Sequence, residues 1–165
     1  MDTEVSRLLN LAYFYLRFRP RTIDEMNKYL EKKAKKFSYA ESSIDKTIEK
    51  LIGQKLLDDH SFISWFMEIR RSSQKKSIAL LKNELKLRGV PSDMVNSYFE
   101  EHIIDEYEGA VKALQSQWRR FQNSDLPAGR QGEQKRFQRS ASYLQRKGFG
   151  YGIIKRAIAD LEGKE

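Results

Sequence analysis

The stretch ELKLRGVPSDMVNSYF, residues 84–99, decides the fold. A run with helical apolar spacing ends at Arg88-Gly89, and a second begins at Pro91-Ser92. Glycine just past the last periodic residue is a helix stop, because a left-handed C′ residue costs glycine little. Proline then fits the opening of the next helix. Sixty residues later the chain does the same in YLQRKGFGYGIIKRAI, residues 143–158. Superposing Gly148 on Gly89 pairs Leu144 with Leu85, Lys147 with Arg88 and Phe149 with Val90. Beyond the glycines, Ile154 and Ile158 fall on Val95 and Phe99.

Outward from this corner the apolar spacing is helical nearly everywhere, with no convincing alternating strand. Leu8, Leu9, Ala12 and Leu16 stripe a first helix, broken by Arg19-Pro20. Thr22 and Glu25 form a capping box that opens a helix over 23–35, with Met26, Tyr29 and Leu30 inward. Ser43 is read as the cap of a helix over 44–54 that buries Ile44, Ile48 and Leu51. Asp59 is read as the cap of a helix over 60–72, with Phe62, Phe66 and Ile69 inward and Trp65 and Trp118 assigned to the core. Helices over 75–88, from 92 and over 105–122 follow. A polar segment, 122–134, is expected to be a flexible loop. Helices over 134–147 and 151–162 complete a count of nine.

The earliest part of the chain resembles the same unit. Leu30 before Lys32-Lys33 is read as the counterpart of Leu85, and Ile44, Ile48 and Leu51 match Ile154, Ile158 and Leu161 in spacing. On that pairing its connection is four residues longer and lacks glycine. The expected fold class is all-α: three tandem three-helix repeats in an elongated, curved array, divided 1–58, 59–104 and 105–165.

Composition narrows the function classes. Lys+Arg 31 against Asp+Glu 23 gives +8, with a sequence pI near 9.6. The charge is segregated: Arg70 to Arg88 carries seven basic residues against Glu84 alone, and residues 110–165 hold 12 basic against 5 acidic. An anionic partner follows from that sign. The sequence has no cysteine, which removes thiol catalysis and cysteine zinc sites. Asp58-Asp59-His60 lacks the spacing of a metal or acid–base site, since the only other histidine is His102. AGRQG, 128–132, lacks the Lys-Ser/Thr of a phosphate loop. No catalytic residue, metal ligand or cofactor is expected, and the chain reads as a non-enzyme. The acidic N-terminus and the lack of a long apolar run point to a cytoplasmic protein without membrane contact.

Several pieces together resemble the RecX regulatory proteins, bacterial modulators of the RecA recombinase. They are Arg19-Pro20-Arg21-Thr22 with Glu25 and Leu30; Leu57-Asp58-Asp59 with Phe62; Glu84-Leu85 with Arg88-Gly89-Val90; and Leu144 with Lys147-Gly148-Phe149. They occur in family order and span about residues 8–161. Ile63 departs from the family's usual alanine, and Ser72-Ser73-Gln74 from a common glycine. The resemblance implies a monomer that binds in the groove of the RecA–DNA filament and inhibits filament growth, ATP hydrolysis and strand exchange, so modulating DNA repair. The alternative is a general basic helical protein that binds single- or double-stranded DNA without RecA.

The residues expected to meet such a partner are basic. On and around the helix over 75–88 they are Arg71, Lys75, Lys82, Lys86 and Arg88. Arg119 and Arg120 end the next helical run. Lys135, Arg136, Arg139, Arg146 and Lys147 crowd the helix over 134–147, and Lys155 and Arg156 follow. Tyr151, between Gly150 and Gly152, is a candidate exposed contact.

Overall fold

The computed structural model describes residues 3–71, 75–122, 126 and 128–163. Among them are ten α-helices and no strand, as the all-α reading expects. They are α1 (Thr3–Leu16), α2 (Ile23–Phe37), α3 (Glu41–Gly53), α4 (Asp59–Arg71), α5 (Ile78–Leu87), α6 (Ser92–Glu101), α7 (Glu106–Gln115), α8 (Trp118–Gln122), α9 (Arg130–Arg146) and α10 (Tyr151–Glu162). The chain divides into two compact units: residues 1–69 with 84–98, and residues 70–83 with 99–165.

In the first unit, α1, α2 and α3 enclose Leu8, Ala12, Met26, Leu30, Ala34, Ile44, Leu51 and Leu57. The Thr22–Glu25 capping box is present, and Arg19 holds Glu25 through two hydrogen bonds of 2.9 and 2.8 Å. In the second unit, α7, α9 and α10 close around Ala110, Ala113, Leu114, Leu144, Phe149, Ile154, Ala157, Ile158 and Leu161.

The corner residues behave as glycine was expected to. Gly89 has φ +82° and Gly148 φ +87°. Leu85 O accepts from Val90 N at 3.2 Å, and Leu144 O accepts from Phe149 N at 3.3 Å. The same bond closes α2, where Ala34 O accepts from Tyr39 N at 3.0 Å and Ser38 takes the left-handed position with φ +56°. This corrects the pairing of Leu30 with Leu85. Ala34 is the counterpart, and Ala34 to Ile44, Leu85 to Val95 and Leu144 to Ile154 are each ten residues. The first connection is no longer than the others; it uses serine where they use glycine, at some cost in strain.

Two further joints share one chemistry. In the first unit Thr22, the N-cap of α2, donates to Arg88 O at 2.6 Å, and Asp59 Oδ1 accepts from Ile23 N at 2.9 Å. In the second unit Lys147 O accepts from Ser77 N at 3.0 Å, and Glu106 Oε1 accepts from Ile78 N at 2.7 Å. Each joint sets a hydroxyl residue at a helix start against the carbonyl before a corner glycine. Each also satisfies the first orphan amide of that helix with a carboxylate from the first residue of α4 or α7.

Several local expectations are corrected. The helix over 105–122 is two helices, because Gln117 N bonds back three residues to Leu114 O and the Ser116 hydroxyl donates to Ala113 O at 2.7 Å. The helix over 75–88 starts only at Ile78, so Lys75 precedes it. Of the segment 122–134, residues 130–134 already belong to α9, with Gly132 buried; residues 123–125 and 127 lie outside the described residues. Ser43 does not cap α3, which starts at Glu41; it is buried and donates to Glu4 Oε2 of α1 at 2.7 Å. Asp58, not Asp59, caps α4, accepting from His60 N and Ser61 N. Asp59 itself is buried against Ile23, and that burial is the main force pushing its carboxyl above the usual range. On α4, Ile69 is 48% exposed while Ile63 is buried, and Trp65 and Trp118 are only half-buried.

Candidate functional site: a basic cleft

The helix α9 has two faces set by its sequence. Ser140 and Leu144 are buried, and Phe137 and Ala141 pack against the core of the second unit. Arg139, Tyr143, Arg146 and Lys147 recur at i, i+4, i+7 and i+8 on another face. The short helix α8 is seated by Trp118 and Phe121, which pack on the same core. That seating leaves Arg119 and Arg120 exposed.

Between these elements lies a cleft of about 830 Å³, lined by Lys76, Leu80, Gln117, Arg120, Phe121, Arg139, Tyr143, Arg146 and Lys147. Five of its nine lining residues carry positive charge, and none is acidic. A second hollow of about 300 Å³ shares Phe121, Arg139 and Arg146 and adds Lys135, Gln138 and Ser142, again without a carboxylate. Phe121 meets the Tyr143 ring edge-on at 5.6 Å, and the Lys147 ammonium stands 5.5 Å from the Tyr143 centroid. No ion pair joins Arg120, Arg139 or Arg146 to a carboxylate among the described residues. Arginines elsewhere in the chain do find one: Arg19 and Arg88 both pair with Glu25, at 2.8 and 3.2 Å. A concave surface lined by charges of one sign raises the local concentration of anions. Its guanidiniums offer planar, two-pronged donors suited to phosphate or carboxylate.

The sequence-selected residues separate on this geometry. Arg120, Lys135, Arg139, Arg146 and Lys147 line the two hollows. Arg119, Lys86 and Lys155 are exposed elsewhere, and Lys75, Lys82 and Arg136 are partly buried outside the lining. Lys82 stands over the Phe99 ring at 5.5 Å, and Arg156 over the Tyr107 ring at 4.1 Å. Arg88 is a joint residue: it pairs with Glu25 and its guanidinium lies 5.6 Å from the Phe66 centroid. The Arg71 side chain lies outside the described residues. Tyr151 is 67% exposed, as expected of it. Lys76 was missed. It sits in the same basic run as Lys75, but the segment before α5 is pinned by Ser77 N to Lys147 O, and this places Lys76 in the cleft.

The described residues contain no group of three or more His, Cys, Asp or Glu able to hold a metal ion. Nor is any described helix long and apolar enough to cross a membrane. The lining of the two hollows supplies cations, two rings and amide and hydroxyl groups.

No family model matches the chain. It is 31% identical over 166 residues to the regulatory protein RecX of Halalkalibacterium halodurans, covering 99% of this chain and 58% of that protein. A regulatory protein RecX from Bacillus pumilus is 31% identical over 156 residues, covering 93% and 55%. The chain spans about half the length of these curated relatives. With the regulatory protein RecX of Prosthecochloris aestuarii the match is 26% and covers 97% of both chains. In fold the chain is similar to the crystal structure of RecX from Lactobacillus salivarius, with a TM-score of 0.76 at 21% identity over 98% of this chain and 99% of the other.

Proposed function

The chain belongs to the RecX family of regulatory proteins, and from that premise we propose that it is a non-catalytic regulator that binds the RecA–DNA filament. Binding restrains the filament's growth, ATP hydrolysis and strand exchange, and so modulates DNA repair in the cytoplasm. The protein acts as a monomer, through binding alone. Its body is built of three tandem repeats, residues 1–58, 59–104 and 105–165. What supports this division is the likeness of the two joints, Thr22–Asp59–Arg88 and Ser77–Glu106–Lys147. In each a carboxylate takes the first amide of a helix, and the residue before that amide bonds the carbonyl preceding a corner glycine, through its hydroxyl at Thr22 and its backbone N–H at Ser77.

The observation that carries the functional reading is the acid-free cleft of α8 and α9. Arg120, Arg139 and Arg146 converge there without carboxylate partners among the described residues, and the DNA of the proposed partner carries a dense row of negative phosphates. The test is DNA-dependent ATP hydrolysis by RecA with increasing amounts of this protein. Inhibition at or below stoichiometric amounts is expected. Full hydrolysis at saturating protein overturns the reading. If the protein binds bare DNA tightly yet leaves the ATPase untouched, the general DNA-binding alternative takes its place.

A further inference from the structure

We propose that the cleft and the hollow beside it form one trough that takes single-stranded nucleic acid, with phosphates on the arginines and a base against Tyr143. The inference deepens the reading above by naming the chemical partner of the same site. Arg139 and Arg146 belong to both hollows, so the two are continuous through shared residues, from Lys76 and Lys147 to Lys135. Along α9, Lys135 to Arg146 is eleven residues, or about 16 Å of helix axis. That length meets several successive charges of a strand, where a lone carboxylate on a protein surface would use only one guanidinium.

The rings separate nucleic acid from an acidic protein surface. Phe121 and Tyr143 are set among the cations. A positively charged groove carrying aromatic faces is the arrangement with which proteins hold unpaired strands, each base supplying a π-face to stack. They also separate one strand from two. In a duplex the bases are already stacked and paired, so they are not available to rings on the floor of a trough. The Lys147 ammonium above Tyr143 is itself held by cation–π attraction, and a base entering there exchanges one ring contact for another while Lys147 turns to a phosphate.

The test is fluorescence anisotropy with a labelled oligothymidylate of about 15 nucleotides, against the same strand annealed to its complement. The single strand is expected to bind at least about tenfold more tightly than the duplex. Its log K should fall with log salt by about 0.7 for each phosphate neutralised. Arg139→Glu with Arg146→Glu, both exposed, should cut strand binding at least about tenfold with an unchanged circular dichroism spectrum and melting temperature. Tyr143→Leu, which keeps the apolar volume, should cut it severalfold. Equal affinity for strand and duplex overturns the proposal, as does strand binding that the two charge reversals leave intact. No strand binding at low salt, together with RecA inhibition that the charge reversals abolish, shows a protein partner in the trough and leaves the filament reading standing. Strand binding without RecA inhibition removes the filament reading and leaves this one.

Discussion

Replacing Gly89 by alanine tests the corner and the joint together. The φ of +82° alone costs an L-residue about 1–2 kcal/mol. The new methyl group also has no room: an ideal Cβ there collides with Asp24 Cβ, Cγ and Oδ2. Asp24 Cβ is the stem of its side chain, so a rotamer change does not relieve the overlap. The start of α2 must move away from the corner. That movement stretches the bond from Thr22 Oγ1 to Arg88 O, now 2.6 Å, and its loss adds about 1 kcal/mol. The expected total is about 3 kcal/mol, or roughly 6–12 °C in melting temperature for a chain of this size. Urea denaturation followed at 222 nm measures it, with the slope against denaturant unchanged if only the native state is affected. A loss below about 1 kcal/mol would refute the reasoning, because even the left-handed strain would then be absent.

The other corners predict different signs. Gly148→Ala meets chiefly the Ser77 hydroxyl, so in a Ser77→Ala background its penalty should shrink by about 1 kcal/mol, measured as a double-mutant cycle in urea. Ser38→Gly should stabilise by up to about 1 kcal/mol, since it relieves a left-handed serine; a loss of melting temperature would contradict the strain. A carboxyl whose folded pKa is raised gives stability that is present below its unfolded pKa and lost as pH rises through the folded one. Asp59 is such a group, so Asp59→Asn, which keeps an oxygen for Ile23 N–H, should be neutral or stabilising at pH 7, and the difference should vanish below about pH 4. A loss above about 1 kcal/mol at pH 7 would show that the charge itself is needed. Glu25 runs the other way. Burial pushes its carboxyl up, but Arg19, Thr22 N–H and Arg88 outweigh it and hold the net value low, so Glu25→Gln should flatten the loss of stability on acidification.

The fold was legible where local chemistry and tertiary packing agree. The Thr22–Glu25 box and the Gly89 and Gly148 corners were read correctly, because capping and left-handed glycine are decided within a few residues. What failed was decided at a distance. Asp59 stands in a helix-cap position by sequence, yet Asp58 caps α4 and Asp59 turns to an amide 36 residues away. Ser43 fits a cap as well, but Glu4 of another helix takes the start of α3. In the first corner serine holds a position the reading reserved for glycine, so the alignment slid by one helical turn, from Ala34 to Leu30.

The same distinction explains what composition said about the site. A basic run announces charge, but not which residues already have partners. Arg88 belongs to the Arg-Gly pattern that drew notice first, and it spends its charge on Glu25 within the joint. The motif residues Arg19, Thr22, Glu25, Asp59, Arg88 and Gly89 are thereby accounted for as parts of one contact that holds helix starts against corners. Recognisable sequence and functional surface then occupy different residues. The cleft draws on Arg120, Arg139 and Arg146, which sit in no distinctive motif and are marked only by the carboxylates they lack among the described residues. Joint substitutions should therefore change stability and leave binding by the folded fraction intact, whereas cleft substitutions should change binding at constant stability. A joint variant that folds fully yet loses binding, or a cleft variant that unfolds, would break that separation.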